Sequence, residues 1–142
     1  MKGAISVRKN FGILPSGEEA TLYTISCGGV TAQVTDYGAT LVSLLVPDKE
    51  GTLADVVLGY DDCGGYAAGD ACLGATVGRN ANRIAGAAFS LGKKVIHLTP
   101  NENGNNLHSG PDMYFKRMWT LVSASDTAVT FGLHSPHGDQ GF

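Results

Sequence analysis

The sequence predicts an all-β chain built as an antiparallel sandwich or barrel, on three observations. Glycine is too abundant and too scattered for long helices, apolar residues recur at alternate positions, and turn-forming clusters separate the apolar runs. Glycine makes up 20 of 142 residues, about twice the usual share, and it follows no period. In "GVTAQVTDYG", Val30, Ala32 and Val34 alternate with Thr31, Gln33 and Thr35, so one face of a strand is buried there. "TLYTISC" supplies a strand ahead of it. "TLVSLLV" (residues 40 to 46) is a nearly continuous apolar run closed by "PDKEG", and "ADVVLGY" resumes it, which predicts a hairpin. "AFSLGKKVIHL" predicts two short strands around Leu91-Gly92-Lys93. "KRMWTLVSA" and "AVTFGLH", joined by "SD", predict a further hairpin with Val129, Phe131 and Leu133 on one face. Residues 61 to 83, "DDCGGYAAGDACLGATVGRNANR", lack a sustained apolar period and read as a loop-rich connection. No internal repeat, linker or domain boundary breaks the chain, so residues 1–142 are expected to belong to one domain.

Charged residues are only 16% and the net charge is −3, so there is no basic field to hold a nucleic acid. No apolar segment approaches bilayer-spanning length, and "MKGAISVRKNFGIL" lacks the apolar core of a leader; neither a membrane nor export is expected. Cys27, Cys63 and Cys72 are odd in number and without C-x-x-C spacing, which favours a reducing, cytoplasmic setting over a zinc ribbon or disulfide framework.

Residues 101 to 110, "NENGNNLHSG", place His108 behind turn-forming Asn and Gly, on or beside a loop. His134 and His137 are spaced H-x-x-H but lack a helix to bring the rings together, so no metal site is expected. His97 falls within a predicted strand. Asp61 and Asp62 read as solvated loop carboxylates.

Three segments, "DYGATLVSLLVPDKEGTLADVVLGYDD" (36 to 62), "GRNANRIAGAAFSL" (78 to 91) and "NNLHSG" (105 to 110), resemble successive signatures of the aldose 1-epimerase, or galactose mutarotase, family. "KRMW" (116 to 119) and "SPHGDQGF" (135 to 142) resemble two later ones, so the similarity runs from about Phe11 to Phe142. The resemblance implies an antiparallel β-sandwich of the galactose mutarotase type, present here as its N-terminal part. It implies a cytoplasmic isomerase that interconverts the α and β anomers of free hexoses such as galactose and glucose, with neither metal nor organic cofactor. Carried across position by position, Asn82 and Arg83 of "ANRI" match the family's sugar-contacting pair, and His108 matches its first active-site histidine, with both a substrate-binding and a catalytic role. The residue types suit these roles. Arg offers a planar fork of donors, Asn a donor and an acceptor, and His a ring donor able to stabilise charge moving onto an oxygen. Arg79 is expected to brace the loop.

The family's acid, a second histidine, and its base, a late glutamate, are expected beyond residue 142. The isolated chain is therefore expected to be inactive, an N-terminal fragment or truncated frame, and to self-associate through uncovered strand edges. A non-catalytic carbohydrate-binding module and an inert fragment are the alternatives. Ser109 stands where the family often has a second glycine, and "MYF" (113 to 115) replaces its commoner Gly-Phe-Asp. Sugar-phosphate epimerases related to the family need extra cationic groups; here only Arg79, Arg83, Lys93 and Lys94 lie near the motifs, which favours a free sugar.

Overall fold

A computed structural model describes residues 7–142. These residues hold eleven strands, mostly in antiparallel pairs between neighbours in sequence, and one short α-helix. They group into two compact units, residues 7–76 with Met118–Leu133, and Val77–Arg117 with His134–Phe142.

The first unit is built on a five-stranded meander of β1 (Val7–Ile13), β2 (Glu19–Cys27), β3 (Val30–Thr35), β4 (Thr40–Pro47) and β5 (Leu53–Asp55), in that spatial order. Its turns follow from their residues. Gly28 and Gly29 join β2 to β3 with φ of 58° and 84°, the left-handed pair that matches the twist of a tight hairpin. Asp48 organises the β4–β5 turn by accepting from the amides of Glu50 at 2.9 Å and Thr52 at 2.8 Å. The predicted strand after that turn is shorter than "ADVVLGY". Asp55 Oδ1 accepts from the amides of Leu44 (3.0 Å) and Val57 (3.1 Å), so a side chain takes over the bonding of the backbone and the ladder stops.

The core of this unit gathers Phe11, Leu14, Ala20, Leu22, Tyr37, Val42, Cys63 and Tyr66. Cys63 and Tyr66 reach it from α1 (Cys63–Ala68), in a stretch expected to be loop. Its two glycines are poor helix formers, but Asp62 caps the N-terminus by accepting from the Gly65 amide at 2.9 Å, and burial of two side chains on one face offsets the rest. Asp62 is thus a capping residue rather than a merely solvated one. The hairpin of β10 (Thr120–Ala124) and β11 (Val129–Gly132) closes through Ser125, whose amide donates to Ala128 O at 2.7 Å. Phe131 meets Tyr23 edge-on with ring centroids 5.3 Å apart.

The second unit has less regular structure: β6 (Arg83–Ile84) pairs with β9 (Asn106–Leu107), and β7 (Ala88–Leu91) with β8 (Lys94–His97) across a turn at Gly92. Residues 134–142 are held by ionic hydrogen bonds. Arg117 grips Asp139 at two points, 2.8 and 2.9 Å, and also donates to the Asp112 carbonyl at 2.8 Å. The Arg117 guanidinium beside Asp139, helped by a 2.7 Å bond from Ser135 Oγ, holds its carboxyl down at about 2. Both side chains are largely buried, 16% and 11% exposed, so this pair is screened less than a surface ion pair.

Asp139 binds its proton less readily folded than unfolded. Its contribution is therefore complete above the ordinary carboxyl value of 3.8 and is lost as pH falls towards about 2. Asp139→Asn is expected to cost on the order of 2 kcal/mol near neutrality and to flatten the stability loss between about pH 4 and 2. Thermal unfolding of both chains across that range measures it; an unchanged acid slope would remove Asp139 from the account.

Candidate functional site

The residues singled out in sequence come together where β6 and β9 meet. Arg83 faces Leu107 in the register, and the following His108 sits against Asn82. The two residues exchange two hydrogen bonds: the Asn82 amide donates to His108 Nδ1 at 3.0 Å, and the His108 amide donates to the Asn82 carbonyl at 3.0 Å. An acceptor Nδ1 in a neutral imidazole places the ring proton on Nε2, so His108 presents a donor on its other side. Asn82 (φ 63°), His108 (φ 52°) and Ser109 (φ 72°) all lie in the left-handed region without being glycine. Such positions cost free energy and persist where surrounding bonds over-determine them.

Those bonds come from side chains. Asn101 bonds Leu107 twice, accepting from its amide at 2.7 Å and donating to its carbonyl at 2.9 Å. Asn105 accepts from the Gly86 amide at 3.1 Å, and Asn106, fully buried, donates to the Thr99 carbonyl at 2.7 Å. Ser109, 2% exposed, accepts from the Asn80 amide at 2.6 Å and donates back to the Asn80 carbonyl at 3.1 Å. The serine that departs from the family pattern therefore ties the histidine loop to the "GRNANR" loop.

Arg79 braces that loop: it donates to Ser135 Oγ at 2.9 Å, to the Pro136 carbonyl at 2.7 Å and to Tyr114 Oη at 3.3 Å. Gly78 precedes it because the Tyr114 ring packs there; a Cβ would lie 2.7 Å from Cδ2.

Arg83 has a partner that sequence reasoning missed. Glu102 accepts from Arg83 Nε at 3.1 Å and from Nη2 at 3.2 Å, a two-point contact, while Nη1 lies 3.4 Å from Asn82 Oδ1. The pair is partly exposed, 52% for Arg83 and 28% for Glu102. Hydrogen bonding and charge together raise the Arg83 pKa and lower that of Glu102 from their ordinary values. One signal was available: Glu102 is the single carboxylate between Gly78 and Pro111, a span holding Arg79, Arg83, Lys93 and Lys94.

His134 and His137 are exposed. Among the described residues no three His, Cys, Asp or Glu side chains form a group that could hold a metal ion. Cys27, Cys63 and Cys72 are free thiols, and no helix among the described residues is long and apolar enough to cross a membrane.

The chain and its antiparallel architecture are similar to known proteins. The aldose 1-epimerase family model matches residues 21–142. The chain is 37% identical over 131 residues to the aldose 1-epimerase of Escherichia coli (strain K12), covering 92% of this chain and 38% of that protein. It is 36% identical over 136 residues to galactose mutarotase of Mus musculus, covering 95% and 40%. A solved GalM/aldose epimerase homologue from C. elegans superimposes with a TM-score of 0.78 at 35% identity, over 86% of this chain and 38% of that one. Galactose 1-epimerase from Lactobacillus acidophilus NCFM gives 0.79 at 22% identity, which speaks to the fold. The chain belongs to the aldose 1-epimerase family, and its fold is the N-terminal part of the galactose mutarotase type. It spans about two fifths of the length of these relatives.

Ser109→Ala would remove both bonds to the Asn80 main chain, which are part-buried. It is expected to destabilise the chain by about 1 kcal/mol. Denaturant unfolding measures this, and a loss within error of zero would mean the two loops are held by other contacts.

Proposed function

We propose that this chain supplies the sugar-holding part of an aldose 1-epimerase acting on free hexoses such as galactose and glucose. The observation that carries the reading is the Asn82–His108 contact, which occupies Nδ1 and leaves Nε2–H as a donor, while Arg83 reaches the same Asn82 through Nη1. In the proposed reaction a base takes the proton of the anomeric hydroxyl while an acid protonates the ring oxygen, and the bond between C1 and that oxygen breaks. Rotation about C1–C2 of the open aldehyde and reclosure by the reverse transfers give the other anomer. His108 is assigned to hydrogen-bond a sugar oxygen and stabilise charge arriving there, and Asn82 and Arg83 to hold hydroxyls. No residue of this chain is assigned as acid or base, and no metal or organic cofactor enters the scheme. The single-domain assignment of residues 1–142 and a cytoplasmic setting, suggested by the three free thiols, belong to the same reading.

Arg83→Lys is expected to weaken galactose binding about tenfold with little change in melting temperature, because an ammonium cannot hold Glu102 at two points and still present further N–H donors to the sugar. Calorimetric titration checks it; equal affinity in a folded variant would remove Arg83 from the site. With the 142-residue chain, the optical rotation of freshly dissolved α-glucose is expected to decay at its spontaneous rate, since positioned acid and base groups each typically supply a factor of about 10² to 10⁴. An acceleration abolished by His108→Ala would place an acid and a base within these residues.

Galactose-induced thermal stabilisation without turnover would favour the binding-module reading, and its absence the inert-fragment reading. Exposed Val7 and Ile13 on β1 and Leu53 on β5, both edge strands, support self-association of the isolated chain, which its mass in solution tests.

A further inference from the structure

We propose that Glu102 sets the charge class of sugar this site accepts, by engaging the Nε/Nη2 edge of Arg83 and so excluding phosphorylated or carboxylated sugars in favour of neutral ones. The inference rests on the sugar-site reading of Asn82, Arg83 and His108 and names a selectivity determinant within it.

A guanidinium recognises an oxyanion best through two parallel N–H bonds, and the Nε/Nη2 edge is one of the two places where such a fork forms. In this chain that edge already holds a carboxylate, at 3.1 and 3.2 Å. Glu102 is itself steadied by Asn103, whose Nδ2 donates to Oε1 at 3.3 Å, and by a backbone turn in which the Asn105 amide donates to the Glu102 carbonyl at 2.8 Å. On the other side of the guanidinium, Asn82 Oδ1 lies 3.4 Å from Nη1. The pair carries no net charge, and what remains for a ligand is the Nη1/Nη2 edge, with Nη1 shared with Asn82 Oδ1 and the cation already balanced by Glu102, which suits hydroxyl oxygens better than an oxyanion. An incoming phosphate would meet the Glu102 carboxylate as a like charge, and such repulsion discriminates between partners more sharply than a missing contact. The neighbouring cation does not restore the balance, because the Arg79 guanidinium is spent on Ser135 and the Pro136 carbonyl.

The experiment titrates the 142-residue chain with galactose, galactose 6-phosphate and inorganic phosphate, following the side-chain Nε–H resonance of Arg83. Wild type, Glu102→Gln, Glu102→Asp and Arg83→Ala are compared. Wild type is expected to bind the neutral hexose more tightly than its 6-phosphate. Glu102→Gln should raise the ratio of 6-phosphate to hexose affinity about tenfold or more and bring inorganic phosphate onto the Arg83 resonance. Glu102→Asp, whose shorter side chain breaks the two-point contact, should fall between and carries the test if Glu102→Gln does not fold. A ratio unchanged in both variants overturns the proposal. If Arg83→Ala leaves hexose affinity untouched, the sugar-site reading fails instead. The inorganic phosphate titration then still decides whether Glu102 shields Arg83: a gain of phosphate binding on Glu102→Gln supports the shielding, and no gain overturns it.

Discussion

The loops that carry Asn82, Arg83 and His108 have backbone amides that no extended ladder can satisfy. β6 and β9 are two residues long, and everything around them depends on side chains standing in for strands. Asn101, Asn105, Asn106 and Ser109 each bond a main-chain group in the second unit, and His108 itself closes on Asn82. Buried polar backbone is costly when unpaired, so these bonds permit three non-glycine residues to keep left-handed angles at one place. The asparagines of "NENGNN" are therefore a framework rather than filler, and a histidine held by such a framework has a fixed ring orientation before any ligand arrives.

The first unit solves its folding problem by other means. Its meander has only neighbour-to-neighbour pairing, and its core of Phe11, Leu22, Val42, Tyr66 and their neighbours is apolar and aromatic. Cys63 and Tyr66 enter that core from a helix of six residues that a single aspartate starts. Apolar burial dominates there, whereas charge-assisted bonds of Arg117 and Arg79 anchor residues 134–142 in the second unit.

Much of this was legible in the chain. Strands at 21 to 27, 30 to 35 and 40 to 46, and the turns at Pro47 to Gly51 and Gly92, follow from period-2 patterning and turn chemistry, which act locally. The five-residue excess in "ADVVLGY" and the helix at Cys63 were not legible, because each is decided by one aspartate bonding backbone that its own sequence neighbourhood does not mark. The approach of Asn82, Arg83 and His108 followed motif order. Glu102 did not: its one mark in sequence was to be the single carboxylate in a span of four cations, and which of the four it meets, nineteen residues away, is decided once β6 and β9 are paired.

The two units are interleaved along the chain: the first takes residues 7–76 and 118–133, the second 77–117 and 134–142. That order has a consequence for synthesis. The meander needs only contacts between consecutive strands, which form quickly because little loop entropy is lost in making them. Arg117, by contrast, must wait for Asp139, and Arg79 must wait for Ser135, fifty-six positions later. On a growing chain, the histidine and arginine loops would therefore leave the ribosome before the residues that anchor their unit, and the region carrying Asn82, Arg83 and His108 would be the last part to acquire its shape.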